Sequence, residues 1–259
     1  MTMTLYHGEP NGPSLTVLAM LEEKGLVADL VRIDLARLGR HGTECPRNIM
    51  VDMSVEGEGP VLVVDGEAMS DSLFIACYLD DVGDGPALRP ADPYARWEMM
   101  MWCRQIIERL APAAAYLGCK AYLHDALGAM PDADYAARAA SIGSVDLRER
   151  WDDVRHGNFA GDKLADSRAK VVQAVERCEA RLADREWLID DFSIADLETY
   201  AWLAGMTELM PEAFGGAPRT QGWLWRVRTR RSVSRTLALA SVVEPGKSWA
   251  PGPEINRWG

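Results

Sequence analysis

The stretch GEGPVLVVDGEAMSDSLFIACYLDD, residues 57–81, constrains the fold more than any other. Pro60 stands directly before an apolar run. Proline has no N–H for a ladder, so it belongs at a strand start or edge. One solution is a cis Gly59–Pro60 bond. Gly59 would then offer its N–H and C=O to something extended lying alongside, as in strand-like peptide recognition. Asp65-Gly66 is a strong hairpin signal and predicts the strands VLVVD and EAM on either side. Ser70-Asp71-Ser72 opens a helix, whose first N–H groups lack partners and whose positive end suits a carboxylate. Ser72 could donate to that carboxylate and Asp71 could pair with an amine. The plainer reading stays open: Pro60 starts a strand and Ser70 caps a helix.

Around this stretch the apolar pattern predicts β-α-β-α-β-β-α. TLYHG reads as a strand. SLTVLAMLEEKGL reads as a helix, with Ser14 at its start and Gly25 at its end. LVADLVRIDL is a second strand, and ARLGRHGTECPRNIM is one irregular helix. GDGPALRPADP suits a linker. From Tyr94 onward the strand signals stop. YARWEMMMWCRQIIERLAPAAAYLGC reads as one long helix, with Pro112 as its kink. DLRERWDDVRHG and DSRAKVVQAVERCEARLADREW are also helical. In DFSIADLETYAWLAGM, Ser193 is the N-cap, Asp196 stands at N3, and Phe192 and Leu197 take the staple positions. TQGWLWRVRTRRSVSRTLALAS reads as a last amphipathic helix, its arginines forming a solvated face. The expected organisation is 1–82, linker 83–93, helical 94–242, and a Pro/Gly-rich tail 243–259.

The net charge of −11 argues against a nucleic-acid partner, which needs basic faces. Five scattered cysteines with no C-x-x-C and no zinc spacing fit a reducing cytoplasm and no metal. No apolar run is long enough to span a bilayer. His124 and His156 have no metal partners in sequence, so packing or surface roles are expected.

The element order, GPVLVVDG…MSDS and FSIADLETY together resemble the cytosolic glutathione transferases. The resemblance covers most of the chain. It implies a thioredoxin-like α/β N-terminal domain (βαβαββα) followed by an all-α C-terminal domain. Glutathione would be the co-substrate. Gly59 and Pro60 would face its cysteinyl backbone, Asp71 and Ser72 its γ-glutamyl end, and Arg40 and His41 its glycyl carboxylate. LYHGEPNGPSLTVLAMLEEKGL, RPADPYARWEMMMW and RWDDVRHGNF further resemble the bacterial β-etherases, which cleave β-aryl ethers of lignin-derived aromatics. Fungal Fu-type transferases are also similar. The resemblance implies a homodimer, or a heterodimer with a related transferase.

Ser14 takes the place where transferases keep their activating residue. A free thiol is only a few per cent thiolate at neutral pH. A hydroxyl donor and the helix-end field favour the thiolate. Serine cannot form a mixed disulfide, which argues for direct attack on carbon. The etherases most like this chain have Asn beside that serine. Here Pro13 stands there, and Asn11 is the candidate substitute. Ile107, Leu110, Ala114, Trp151 and Arg155 are the candidate wall of an apolar pocket for a diaryl electrophile. Trp97, Met99, Met100, Met101 and Trp102 read as core and domain interface. The long segment Ala121 to Lys163 is expected near the mouth of the cleft. The leading expectation is a β-etherase. The alternatives are a silent or weakly active subunit of a heterodimer, for which Pro13 speaks, and a general transferase for aromatic electrophiles.

Overall fold

The computed structural model describes residues 1–41, 59–247 and 252–254. Strand β1 (Met3–His7) is followed by helix α1 (Gly12–Lys24), β2 (Asp29–Arg32), β3 (Val61–Val64), β4 (Glu67–Ser70) and α2 (Ser72–Val82). The sheet order is β2-β1-β3-β4, with β1 and β2 parallel and the other pairs antiparallel. This is the thioredoxin-like half. Leu5 alternates with half-buried Thr4 and Tyr6, and Leu5 and Leu62 are both fully buried, each contributing roughly 1.5–3 kcal/mol of apolar burial. Asp65 (φ 48°) and Gly66 (φ 96°) make the β3–β4 turn, where two positive φ angles match strand twist. Of the predicted irregular helix, two short 3-10 turns are described, Leu35–Arg37 and Gly39–His41. Its remainder, 42–50, lies outside the described residues.

The register gathers the candidate site. Tyr6 pairs with Val61, and Val61 pairs with Ser70. Pro60, Asp71 and the loop after β1 therefore meet at one end of the sheet. The β2 strand, parallel to β1, delivers the Leu35–His41 turns to that same end.

The helical half starts at α3 (Pro93–Gln105), capped by Asp92, which accepts the Ala95 N–H at 2.8 Å. The predicted single long helix is corrected. A wide π turn at Ile106–Leu110 separates α3 from α4 (Ala111–Gly118), and a second at Cys119–Leu123 precedes α5 (His124–Gly128). Pro112 sits in the first turn of α4, where its missing N–H costs little. Then come α6 (Asp132–Ala139), α7 (Val145–His156), α8 (Gly161–Arg181), α9 (Ile194–Leu203), α10 (Met206–Leu209) and α11 (Pro211–Phe214). The predicted last helix is two, α12 (Pro218–Thr229) and α13 (Arg231–Leu237). Arg230 breaks it with extended backbone. Its guanidinium pairs with Glu23 of α1 at 2.9 Å and lies 3.6 Å from the Phe192 ring centre. Arg235 also pairs with α1, through Glu22. Arg230 and Arg235 tie the C-terminal helices to α1, while Arg228, Arg231 and Arg235 are exposed, as the solvated-face reading expects.

The main core runs from the sheet through α1 and α2 into α3, α4, α8 and α9. A second cluster joins Leu38 to Cys119, Leu123, Leu127, Trp151 and Val154. The stretch after α2 is pinned by Lys24, which donates to Asp80, Gly85 O and Pro86 O, and by Leu88 and Arg89 donating to Asp80. Trp97 departs from the core reading: it is 54% exposed, while Met99 is fully buried. His124 donates to Val154 O and ties α5 to α7, whereas His156 is exposed and donates to Asp152 O within its own helix. No described helix is long and apolar enough to cross a membrane.

Candidate active site

The loop HGEPNGP turns from β1 into α1 and is almost wholly buried. Asn11 is the N-cap position of α1, and Ser14 is its third residue, so Ser14 is not the cap itself. The Gly8 N–H donates to Ser14 Oγ at 3.0 Å. Among the described residues Ser14 makes no other hydrogen bond, so its own hydroxyl hydrogen is uncommitted. Pro13 lies in the first turn, where the N–H has no intrahelical acceptor anyway, and Ser14 keeps its place beside it. His7 is buried, with Nδ1 donating to Gly8 O at 2.6 Å. Burial holds its pKa below the usual value.

The Gly59–Pro60 peptide is cis. A side chain added at Gly59 would press on Leu35 at 3.0 Å and stand 3.5 Å from the Arg40 guanidinium. Gly59 and Arg40 are therefore neighbours. His41 Nε2 bonds a carboxylate oxygen of Glu254. Ser141 donates to His41 O at 2.7 Å, so the Ala121–Lys163 segment does pack against this turn.

Asp71 has φ 74° and ψ 116°, a conformation that L residues rarely adopt. Strained backbone of this kind persists where the surroundings over-determine it, often at ligand clamps. Its carboxylate accepts the Leu73 and Phe74 N–H groups at 2.9 and 3.2 Å. The helix end expected to hold an outside carboxylate thus spends two donors on Asp71. Burial raises the Asp71 pKa against those bonds.

Sequence reasoning missed Glu198. It is fully buried on α9, and Ser72 Oγ donates to its two oxygens at 3.2 and 3.1 Å. The Trp202 indole donates to it at 3.2 Å. Burial first, and the Asp71 charge second, push Glu198 up to about 7. A charged residue on the apolar side of FSIADLETY was the available signal. Two positions earlier, Asp196 completes the predicted capping box with Ser193. It also accepts from Leu188 N and Trp223 Nε1, and burial pushes it up to about 6.

The C-terminal segment returns to this loop, an arrangement invisible in the sequence. Ser241 donates its N–H to Glu9 at 2.9 Å. Asn11 Nδ2 donates to Pro245 O and Gly246 O at 3.0 and 3.1 Å. The Asn11 amide donors are thus given to the tail, which corrects its expected role as a donor to sulfur. Gly252 (φ 59°) lies flat on the Trp151 ring, where a Cβ would come within 2.6 Å.

The five candidate pocket residues are not gathered on one wall. Leu110 and Ala114 are buried in the main core and Ile107 packs against it. Trp151 belongs to the second cluster. Arg155 is spent on Leu127 O, Met130 O and Asp132, and stacks 4.3 Å from the Tyr135 ring centre. A cavity of about 320 Å³ beside Asn11 is bounded by Leu15, Tyr200, Ala204, Pro245 and Lys247, and none of the five lines it. Among the described residues no His, Cys, Asp and Glu group has the makings of a metal site.

The chain is 28% identical over 244 residues to protein LigF of a Sphingobium species, across 90% of this chain and 92% of that one. The crystal structure of beta-etherase LigF from Sphingobium sp. strain SYK-6 superposes with a TM-score of 0.83 at 27% identity. It covers 92% of this chain and 99% of that chain. A glutathione S-transferase from Methylobacillus flagellatus, solved with glutathione bound, has a TM-score of 0.65 at 22% identity and covers 91% and 98%. Gtt2 from Saccharomyces cerevisiae has the same TM-score at 21% identity, covering 90% and 100%. The last two speak to the fold alone. No family model matches the chain.

Proposed function

We infer that this chain is a member of the glutathione transferase superfamily, of its β-etherase branch, and that it breaks β-aryl ether bonds of lignin-derived aromatics with glutathione. The observation that carries this is the end-to-end likeness to LigF, at a TM-score of 0.83.

The glutathione thiolate attacks the β-carbon of an α-keto β-aryl ether. A C–S bond forms as the C–O bond breaks, and the electron pair leaves on the aryl oxygen. The thiol proton ends on the phenol. The carbonyl beside the β-carbon activates it. We assign the sulfur to the uncommitted hydroxyl hydrogen of Ser14, at the positive end of α1. Gly59 and Pro60 take the cysteinyl backbone, Asp71 and Ser72 the γ-glutamyl end, and Arg40 and His41 the glycyl carboxylate. Asn11 holds the tail.

The unit we propose is a cytoplasmic dimer. Phe74, Tyr94 and Trp97, 63, 67 and 54% exposed at the starts of α2 and α3, supply apolar surface for a second subunit. Cys77, Cys103, Cys119 and Cys178 are free thiols, in keeping with a reducing compartment.

The deciding experiment is glutathione-dependent phenol release from a model α-keto β-guaiacyl ether. Release by the wild-type chain that falls sharply in Ser14→Ala supports the reading. Glutathione binding without release by any aryl ether would overturn the substrate class.

A further inference from the structure

The γ-glutamyl subsite has an unusual charge balance. Asp71 and the buried Glu198 are near enough for the Asp71 charge to raise the Glu198 pKa. Among the described residues neither carboxylate pairs with a cation. Buried charges are ordinarily paired, and an unpaired one is costly. The groups that act on Glu198 are Asp71 and Ser72 at the start of α2, Thr16 on α1, the titratable Cys103 on α3 and Trp202 on α9 itself. None brings a positive charge.

Hydrogen-bond direction then decides what Ser72 can offer a ligand. A hydroxyl has one hydrogen and two acceptor sites. The Ser72 hydrogen is directed to Glu198. Its oxygen keeps lone pairs, so toward the cleft Ser72 is an acceptor. This reverses the role expected from sequence, in which Ser72 donated to a carboxylate. The Leu73 and Phe74 N–H groups are occupied by Asp71. Among the described residues the Ser72 N–H has no acceptor, and it is the donor left for a carboxylate.

We propose that Glu198 is a positioning residue for the γ-glutamyl end of glutathione: by holding the Ser72 hydroxyl hydrogen it makes Ser72, with Asp71, a receptor for the ligand's α-ammonium group. The proposal rests on the reading that this site takes glutathione. The ammonium supplies the positive charge that the two carboxylates lack. Glu198 reaches the ligand through Ser72 and through its field.

The test compares two tripeptides by calorimetry: glutathione, and glutaryl-cysteinyl-glycine, which lacks only the α-amino group. The wild-type chain is expected to prefer glutathione by at least about tenfold, the order of one charge-assisted hydrogen bond. In Glu198→Gln, which keeps the side-chain shape and removes the charge, the preference is expected to fall to within about twofold. Ser72→Ala leaves Glu198 in place and cuts the link, and gives the same collapse should Glu198→Gln not fold. Glu198→Asp is expected to restore part of the preference. A merely structural Glu198 would lower the melting temperature while leaving the ratio of the two affinities unchanged. That outcome, or equal wild-type affinity for both tripeptides, overturns the proposal and leaves the glutathione reading standing. Wild-type binding of neither tripeptide removes the glutathione reading itself, and the proposal with it.

Discussion

The Gly8 N–H donates to Ser14 Oγ across 3.0 Å, so the serine we assign to the thiol is held from behind by the backbone of its own loop. The bond fixes the oxygen and leaves the hydrogen free to turn toward sulfur. Ser14→Ala is expected to lower the rate of ether cleavage by about 100-fold, the scale of losing one aimed donor. The glutathione affinity should change little. Ultraviolet titration of the bound thiolate checks the cause, since its pKa should rise in the variant.

Asp71 combines a cap with a positive φ, and the two contributions separate by substitution. Asp71→Ala loses the cap and keeps an unfavourable backbone, at a cost of about 1–2 kcal/mol. Asp71→Gly loses the same cap but accepts φ 74° without strain, so only a few tenths are expected to be lost. Both variants should bind glutathione poorly. Thermal melts alongside calorimetry distinguish the backbone effect from the ligand effect.

Burial raises Glu198 from 4.5 to about 7 in the folded chain. Between those values the folded state holds a proton that the unfolded state has released. Stability from this group is therefore full below pH 4.5 and lost as pH climbs through 7. Denaturant titrations across that window should show wild type losing up to about 3 kcal/mol relative to Glu198→Gln. A parallel pair of curves would show that Glu198 ionises normally.

The sheet, its hairpin and the α9 cap were legible because each depends on local chemistry: Pro60 before a strand, Asp65-Gly66 between two, Ser193 three residues before Asp196. The turn at Asp71 and Ser72 that opens α2 was legible for the same reason. What stayed hidden depends on contacts far apart in the chain. Glu198 meets Ser72 across 126 positions, and Asn11 meets Pro245 across 234. No periodicity encodes either. The long helix was misread because a wide turn adds a residue without breaking the apolar pattern, as at Ile106–Leu110. Leu110 and Ala114 look the same in sequence whether they line a pocket or fill a core, and only packing decides.

His41 and Glu254 share a hydrogen bond at the place assigned to the glycyl carboxylate. Glu254→Gln removes the charge that occupies the imidazole. Glutathione is expected to bind this variant several-fold more tightly, with Ser14 and the ether-cleavage rate at saturation unchanged. Calorimetry and the KM for glutathione check it. An unchanged affinity would place the glycyl end elsewhere.

That bond also has a meaning in terms of concentration. A carboxylate borne on the same chain meets its partner at an effective concentration of about millimolar. Any free carboxylate drawn to His41 competes on that scale, whatever its intrinsic affinity. With the glycyl carboxylate assigned to His41, as we propose, Glu254 sets a floor under the co-substrate level at which the site fills. The protein carries its own threshold, written into a stretch of chain that does no chemistry.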